Sequence, residues 1–446
     1  MNSNQTQIRR PGDFSLLDVV VSTPLIKQKL SLKDILTEIN LFEGVFQNCV
    51  SGYIVVQDTQ NFFSSYPIIG YETIAFIFGN PSDPEQEEVK YEFSIYSVTD
   101  YYPIRERVVE YKLNFIASEF LSNLQTKVSR SFPGRGVDEI VSTIFGQELG
   151  SDSDFLVSKT ENIHDFIIPN WSPFQAINWL ASRAVSENEA GAMFMFYGTL
   201  DSFRFISLEA QSGNPVEETY VYREKNVKSP DSPSGQPDST QYAVVKEYQI
   251  DNTFDLINNV SLGMYSNKLV THDIVKREYD VFDWDYSNTF LDYKHIEPNV
   301  KFKAESQNNV TRLTHPQLPD RNSIFDSYHM LIPTHYQLHG TQAIPGRNTI
   351  GHERSLQSRV SQLQQINTFK LTITVGGDLK RRAGDVVYFW YPKAQVQATP
   401  RIEEDLLYSG RYLVLSVRHI FSKNEHETIL ELAKDTYFTP LPRLSS

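Results

Sequence analysis

The chain has one cysteine in 446 residues, Cys49, so no internal disulfide framework can form and folding in a reducing compartment is expected. That thiol lies between Phe46 and Val50 with no histidine beside it and reads as a small core residue. Long apolar runs are missing too, and none approaches the roughly 20 residues that a membrane helix needs. The opening stretch MNSNQTQIRRPGDF lacks the apolar centre of a signal peptide, so the expectation is assembly in a cytoplasm without membrane insertion. Positive charge is scarce: 41 Lys and Arg against 55 Asp and Glu leave a formal net charge of −14. This disfavours a nonspecific grip on nucleic acid or anionic lipid, which requires clustered cations.

Catalytic patterns are equally wanting. His352-Glu353 opens like a zinc-protease helix, but Leu356 stands where the second histidine must be. His335 and His339 are four apart with no third ligand at suitable spacing, and Asp280, Asp283 and Asp285 lack the glycine and terminal glutamate of a calcium loop. There is no nucleophile elbow or phosphate loop, and Gly134-Arg135-Gly136 is too short to cradle a phosphate. Glu403-Glu404 reads as soluble surface, not as the paired acids of a glycosidase. No catalytic, cofactor-binding or metal-binding residue is assigned, and the chain reads as a non-enzyme without a cofactor.

What is present favours strands. Aromatics make up 13%, with 24 Tyr and 28 Phe, and the length suits two to four domains. Gly52 to Asp58 and Thr73 to Phe78 are β-branched and aromatic, the second placing Ile74, Phe76 and Phe78 on one face. Between them Pro67 and Gly70 predict a stiff corner over Tyr66 to Glu72. Ser31 opens a predicted helical turn through Leu32 and Ile35, and Tyr91, Phe93 and Ile95 alternate as in a half-buried strand.

From Phe115 the period turns helical. Phe120, Leu121, Leu124 and Val128 make one predicted stripe, and Val137, Ile140, Val141, Ile144 and Phe145 another. A further helix has Ser172 as cap, Pro173 at its first position, Gln175 completing a capping box, and Phe174, Ile177, Leu180, Ala181 and Ala184 as its core face. Strands over Ala192 to Phe196 and Ser202 to Leu208 complete a compact α+β region. Lys225 to Gln241 reads as a mobile loop, and the alternating acids and aromatics of Tyr279 to Tyr286 as an edge or surface strand. Further on, Leu356, Val360 and Leu363 predict the inward face of a helix over His352 to Gln365. Phe369, Leu371, Ile373 and Val375 line a strand after it, and Gly384-Asp385 and Gly410 introduce an antiparallel pair.

Three separated sets of residues carry a resemblance. They are Phe42-Glu43 with Gly52 to Asp58 and Pro67-Ile68-Ile69-Gly70-x-Glu72; Pro169-Asn170-Trp171-Ser172-Pro173; and Ala383-Gly384-Asp385 followed by Ser409-Gly410-x-Tyr412-x-Val414-x-x-Val417-x-His419. In this order they resemble the baseplate central hub proteins of contractile-tailed bacteriophages, a family related to the base of type VI secretion VgrG proteins. The resemblance implies a β-rich α+β fold with two similar antiparallel β-barrel tube domains and inserted α+β domains. The first barrel is expected over residues 1–114, an insertion over 115–212, the start of the second barrel over 213–262 with its loop at 225–241, an insertion of unassigned structure over 263–350, and the rest of the second barrel over 351–446.

It further implies a homotrimer forming a pseudo-six-fold ring, located in the tail baseplate of the virion, that adapts a six-fold tail tube to a three-fold spike and leaves a channel for DNA. Implied partners are its own copies, a central spike protein, a tail tube or tube-initiator protein and baseplate wedge proteins, with DNA only as passing cargo. Gly52, Pro67, Gly70, Glu72, Gly384, Asp385 and Gly410 are the expected fold-defining positions, and Pro169, Trp171 and Pro173 the expected docking points of the inserted domain. The alternatives are the hub of a type VI or extracellular contractile injection system, or a β-rich receptor- or sugar-binding adhesin.

Overall fold

Seven strands open the chain: β1 (Ser15–Thr23), β2 (Ile26–Ser31), β3 (Leu36–Gly44), β4 (Ser51–Asp58), β5 (Thr73–Gly79), β6 (Val89–Arg105) and β7 (Val108–Ile116). The structure, a computed structural model, describes residues 15–23, 26–59, 62, 66, 68–79, 88–161, 163–188, 191–223, 243–252, 255–297, 327–333, 356–393, 403–422 and 425–436. All neighbours among these strands run antiparallel, in the order β3-β4-β7-β6-β5-β1-β2. β2 and β3 stand at opposite ends of that order, yet only residues 32–35 join them, so the sheet has to curl round on itself. Its concave side holds Val19, Ile39, Ile54, Phe76, Leu113 and Phe115, the alternate positions of their strands. The helical turn expected after Ser31 forms: Ser31 ends β2, and beyond it the Ile35 and Leu36 N–H groups both donate to the Leu32 carbonyl, at 3.1 and 3.0 Å, while the Ser31 hydroxyl donates to Asp18 Oδ1 at 2.5 Å.

The next segment carries helix α1 (Ser118–Gln125), β8 (Val128–Arg135), α2 (Val137–Thr143), β9 (Phe155–Val157), β10 (His164–Trp171), α3 (Pro173–Ala181), β11 (Phe194–Gly198), β12 (Phe203–Ser207) and the short α4 (Leu208–Ser212). Val137, Ile140, Val141, Ile144 and Phe145 are all buried, as are the five residues expected to form the core face of α3. The stripe proposed through Phe120 and Val128 breaks instead. α1 stops at Gln125, Thr126 is extended, Val128 enters β8, and Leu124 is exposed. The buried residue of α1 is Asn123, whose Oδ1 accepts the Phe174 N–H at 2.7 Å. Asn123 therefore does the work expected of Ser172, which caps α3 with its backbone but makes no side-chain hydrogen bond there.

Strands β13 (Val216–Tyr222) and β14 (Ala243–Asn252) precede a small unit made of α5 (Leu256–Ser261), β15 (Ser266–Asp273), β16 (Glu278–Asp285), α6 (Tyr286–Thr289) and β17 (His329–Pro333). Here β16 is an edge strand, as its sequence suggested. Helix α7 (Ser358–Ile366) then leads into β18 (Phe369–Gly376), β19 (Val386–Trp390), β20 (Gly410–Ser422) and β21 (His426–Lys434). The order β19-β13-β14-β18-β21-β20 returns to β19, so these six strands close into a barrel around Tyr220, Leu371, Ile373, Phe389, Tyr412 and Leu430.

That barrel is mixed, which corrects the expectation of a wholly antiparallel one. β13 runs parallel to both β14 and β19, a pairing that requires crossover connections where hairpins were expected. A further correction concerns α7, whose buried face carries Ser358, Ser361, Gln362 and Gln365, while Val360 and Leu363 are only half-buried. Its inward groups are hydrogen-bonded to three different parts of the chain: Trp284 Nε1 donates to Ser361 Oγ at 3.0 Å, Gln362 to Glu209, and Gln365 Nε2 to the Asp435 carbonyl at 2.6 Å. The loop expected over Lys225 to Gln241, and His335, His339, His352 and Glu353, lie outside the described residues.

Candidate functional site

The curled sheet and the closed barrel share one strand. β20 is 13 residues long; it pairs with β21 on one side, while on the other Gly410–Leu413 pair with β19 and Ser416–Ser422 with β3. One continuous backbone ladder thus runs from the barrel into the curled sheet, and Glu43 lies opposite Val417 in it.

Glu43 is the centre of the joint. Its carboxylate is buried and accepts the Leu200 N–H at 2.8 Å on Oε1 and the Ala383 N–H at 3.1 Å on Oε2. Arg382 Nε lies 4.0 Å from Oε1 and turns its stronger bonds on Asp201, with Nε to Oδ2 at 2.6 Å and Nη2 to Oδ1 at 2.7 Å. Glu43 belongs to the curled sheet, Leu200 and Asp201 to the β11–β12 turn, and Arg382 and Ala383 to the loop before β19. Three parts of the chain therefore meet on one carboxylate and one guanidinium. Burial pushes the Glu43 carboxyl up to about 7 against the opposing pull of Arg382 and the two backbone donors. A second contact lies next to it, where Gly384 has φ +89° and any Cβ would overlap Tyr197 Oη of β11. An apolar core continues the same junction, with Val45, Met195, Tyr197, Ile366, Ala383 and Leu415 drawn from all three parts.

The ten positions singled out in the sequence fall in several places. Gly52 lies on β4 where a Cβ would run into the Asn40 carbonyl and the Phe115 ring, so only glycine fits between β3 and β7. Gly70 has φ +102° in the turn before β5. Glu72 is buried and folds back on that turn, its carboxylate accepting the N–H groups of Ile69 at 3.2 Å, Gly70 at 2.8 Å and Tyr71 at 3.1 Å. Pro67 lies outside the described residues. Pro169 is exposed, Trp171 packs edge-on against Trp179 at 5.3 Å, and Pro173 is buried at the first turn of α3. Asp385 accepts the Arg382 N–H at 3.0 Å, and Gly410 has φ +132° at the start of β20. Only Gly384 and Asp385 come together at the joint. Arg382, Asp201 and Tyr197 were missed; the adjacent Arg381-Arg382 just before Ala383-Gly384-Asp385 was the one available signal, because two cations beside a buried strand require acidic partners.

Comparison with known proteins adds an independent finding. No protein-family model matches the chain. It is 21% identical over 420 residues to the probable baseplate hub protein of Vibrio phage KVP40, an alignment that spans 91% of each chain. The chain resembles phage baseplate hub proteins. Its fold also matches a tail protein from Neisseria meningitidis, with TM-score 0.53, 11% identity and 95% and 98% of the two chains covered. The 43 kDa tail protein of prophage MuSo2 from Shewanella oneidensis fits equally well, with TM-score 0.53, 9% identity and 94% and 98% covered. At these identities the structural likeness concerns the fold alone, and it extends over 94 to 95% of this chain.

Proposed function

We propose that the chain is a structural hub of a contractile phage tail baseplate, and not an enzyme. The observation that carries this reading is the alignment to a probable baseplate hub protein along 91% of both chains. Supporting it is the architecture, in which a closed barrel and a curled sheet are welded through β20 and riveted by Glu43, Arg382 and Asp201. A load-transmitting ring needs such rigid two-unit subunits.

In this reading three copies form a ring, and the two β units of each copy present six similar outer surfaces to a six-fold tail tube, while the trimer itself matches a three-fold spike. Residues 1–114 form one tube unit, and 213–262 with 351–446 the other; 115–212 and 263–350 are insertions, and wedge proteins surround the ring. DNA passes through the central channel as cargo. Gly52, Gly70, Glu72 and Gly410 keep the β units in shape, while Gly384 and Asp385 hold them to the inserted domain. The test is electron microscopy of phage particles carrying an epitope-tagged copy of the chain. Gold label at the tail end remote from the head is expected; label on the head or fibres, or tagged particles that contain none of the chain, contradicts the proposal.

A further inference from the structure

Beside the Arg382 joint two histidines face each other inside the wall. His419 on β20 and His426 on β21 are both buried, and His426 Nε2 lies 3.3 Å from His419 Nδ1, within reach for one neutral ring to donate its N–H to the other. Thr428 Oγ1 is 3.2 Å from the same Nδ1. The His426 ring stacks on Phe421 with 4.0 Å between centroids and lies so close to Gly377 that any side chain there would overlap it. The groups that bear on the pair come from the loop between β18 and β19, which supplies Asp378, the Arg381 backbone and the Arg382 guanidinium, while Glu43 on β3, Asp201 in the β11–β12 turn and Tyr91 on β6 act on Arg382. Arg382 is the cation that bears on His419, and Asp378 the anion that bears on His426.

The position of the pair gives it its consequence. His419 lies opposite Leu41 in the ladder between β20 and β3, and Phe421 two residues later enters the core of the curled sheet, 5.2 Å from Phe78. The strand that holds His419 is thus the strand that fastens the two β units.

We infer that the His419–His426 pair makes the seam between the two β units acid-labile, closed while the rings are neutral and opening when both are protonated. A second proton abolishes the shared N–H···N contact and sets two cations 5.3 Å apart between ring centroids, next to Arg382 and shut off from water. Burial pushes His426 down to about 4 and His419 well below its ordinary 6.5. The sign follows: the neutral pair contributes fully above pH 6.5, and its contribution is lost as pH falls from 6.5 to about 4. Glu43, held up by burial, favours the folded state in acid, so weakening of the seam at low pH belongs to the histidines and not to it.

Hydrogen exchange of the full chain, corrected for intrinsic rates, tests this. Amides of Glu38 to Gly44 and Ser416 to Ser422 are expected to exchange about tenfold faster for each pH unit below about 6.5, while those of Phe369 to Gly376 in β18 do not. His426→Phe, which keeps the ring stack and removes one proton acceptor, is expected to flatten that rise. If the variant does not fold, titration of the imidazoles in the unmodified chain by NMR decides instead. Protection of the seam unchanged down to pH 4, loss shared equally with β18, or two rings titrating above pH 6 would each overturn the inference.

Discussion

Arg382 holds Asp201 through two parallel bonds, 2.6 and 2.7 Å long, and so carries its charge to within 4.0 Å of the buried Glu43. The Asp201 side chain is 55% exposed whereas that of Arg382 is 6% exposed, so the two ends of the pair are not equivalent. Replacing Arg382 with Ala strands Glu43 in the interior without its cation, and a loss of about 3 kcal/mol in folding free energy is expected. Asp201→Ala removes a solvated partner and is expected to cost about 1 kcal/mol. Urea unfolding of both variants checks the order, and equal losses would mean that Glu43 does not depend on Arg382.

The raised Glu43 carboxyl predicts a pH dependence. Because its folded value of about 7 exceeds the ordinary 4.5, its contribution is fully present below pH 4.5 and is lost as pH rises through about 7. Glu43→Gln lacks that term, so its stability deficit relative to the unmodified chain is expected to shrink between pH 4.5 and 7.5. Melting curves across that range decide, and a constant deficit would place the Glu43 value in the ordinary range.

Two glycines separate backbone strain from steric exclusion. Gly70 and Gly384 both have positive φ, but a Cβ at Gly70 meets nothing within 4 Å while one at Gly384 overlaps Tyr197. Gly70→Ala is expected to cost about 1 kcal/mol, the backbone term alone. Gly384→Ala adds the overlap and is expected to cost more than about 3 kcal/mol. If the two cost the same, the contact between the inserted domain and the loop before β19 is not tight.

Ile373 lies on the inner side of the closed barrel and is fully buried. Ile373→Asp puts an unpaired charge there, and insoluble or unfolded protein is expected on expression. Soluble protein with the parent circular dichroism spectrum would count against the position of β18.

Period-based reading succeeded where one side of an element is apolar. α2 and α3 bury the residues that their 3.6 spacing selected, and β18 buries Phe369, Leu371, Ile373 and Val375 in strict alternation. It failed at α7, where Gln362, Gln365 and Ser361 face inward because each finds a hydrogen-bond partner far away in sequence, which no local pattern announces. The same limit hid the joint. Glu43, Asp201 and Arg382 are 158 and 181 residues apart along the chain, and each alone looks like surface charge. Parallel pairing of β13 was illegible for a related reason, since strand direction is set by the long connections on either side of it.

Native mass by light scattering, followed by negative-stain imaging of the same peak, tests the hub reading most directly. Three copies of a 51.3 kDa chain give about 154 kDa, and ring-shaped end views are expected from that peak. A monomer of 51.3 kDa at every concentration reached, with no rings in the images, would contradict it.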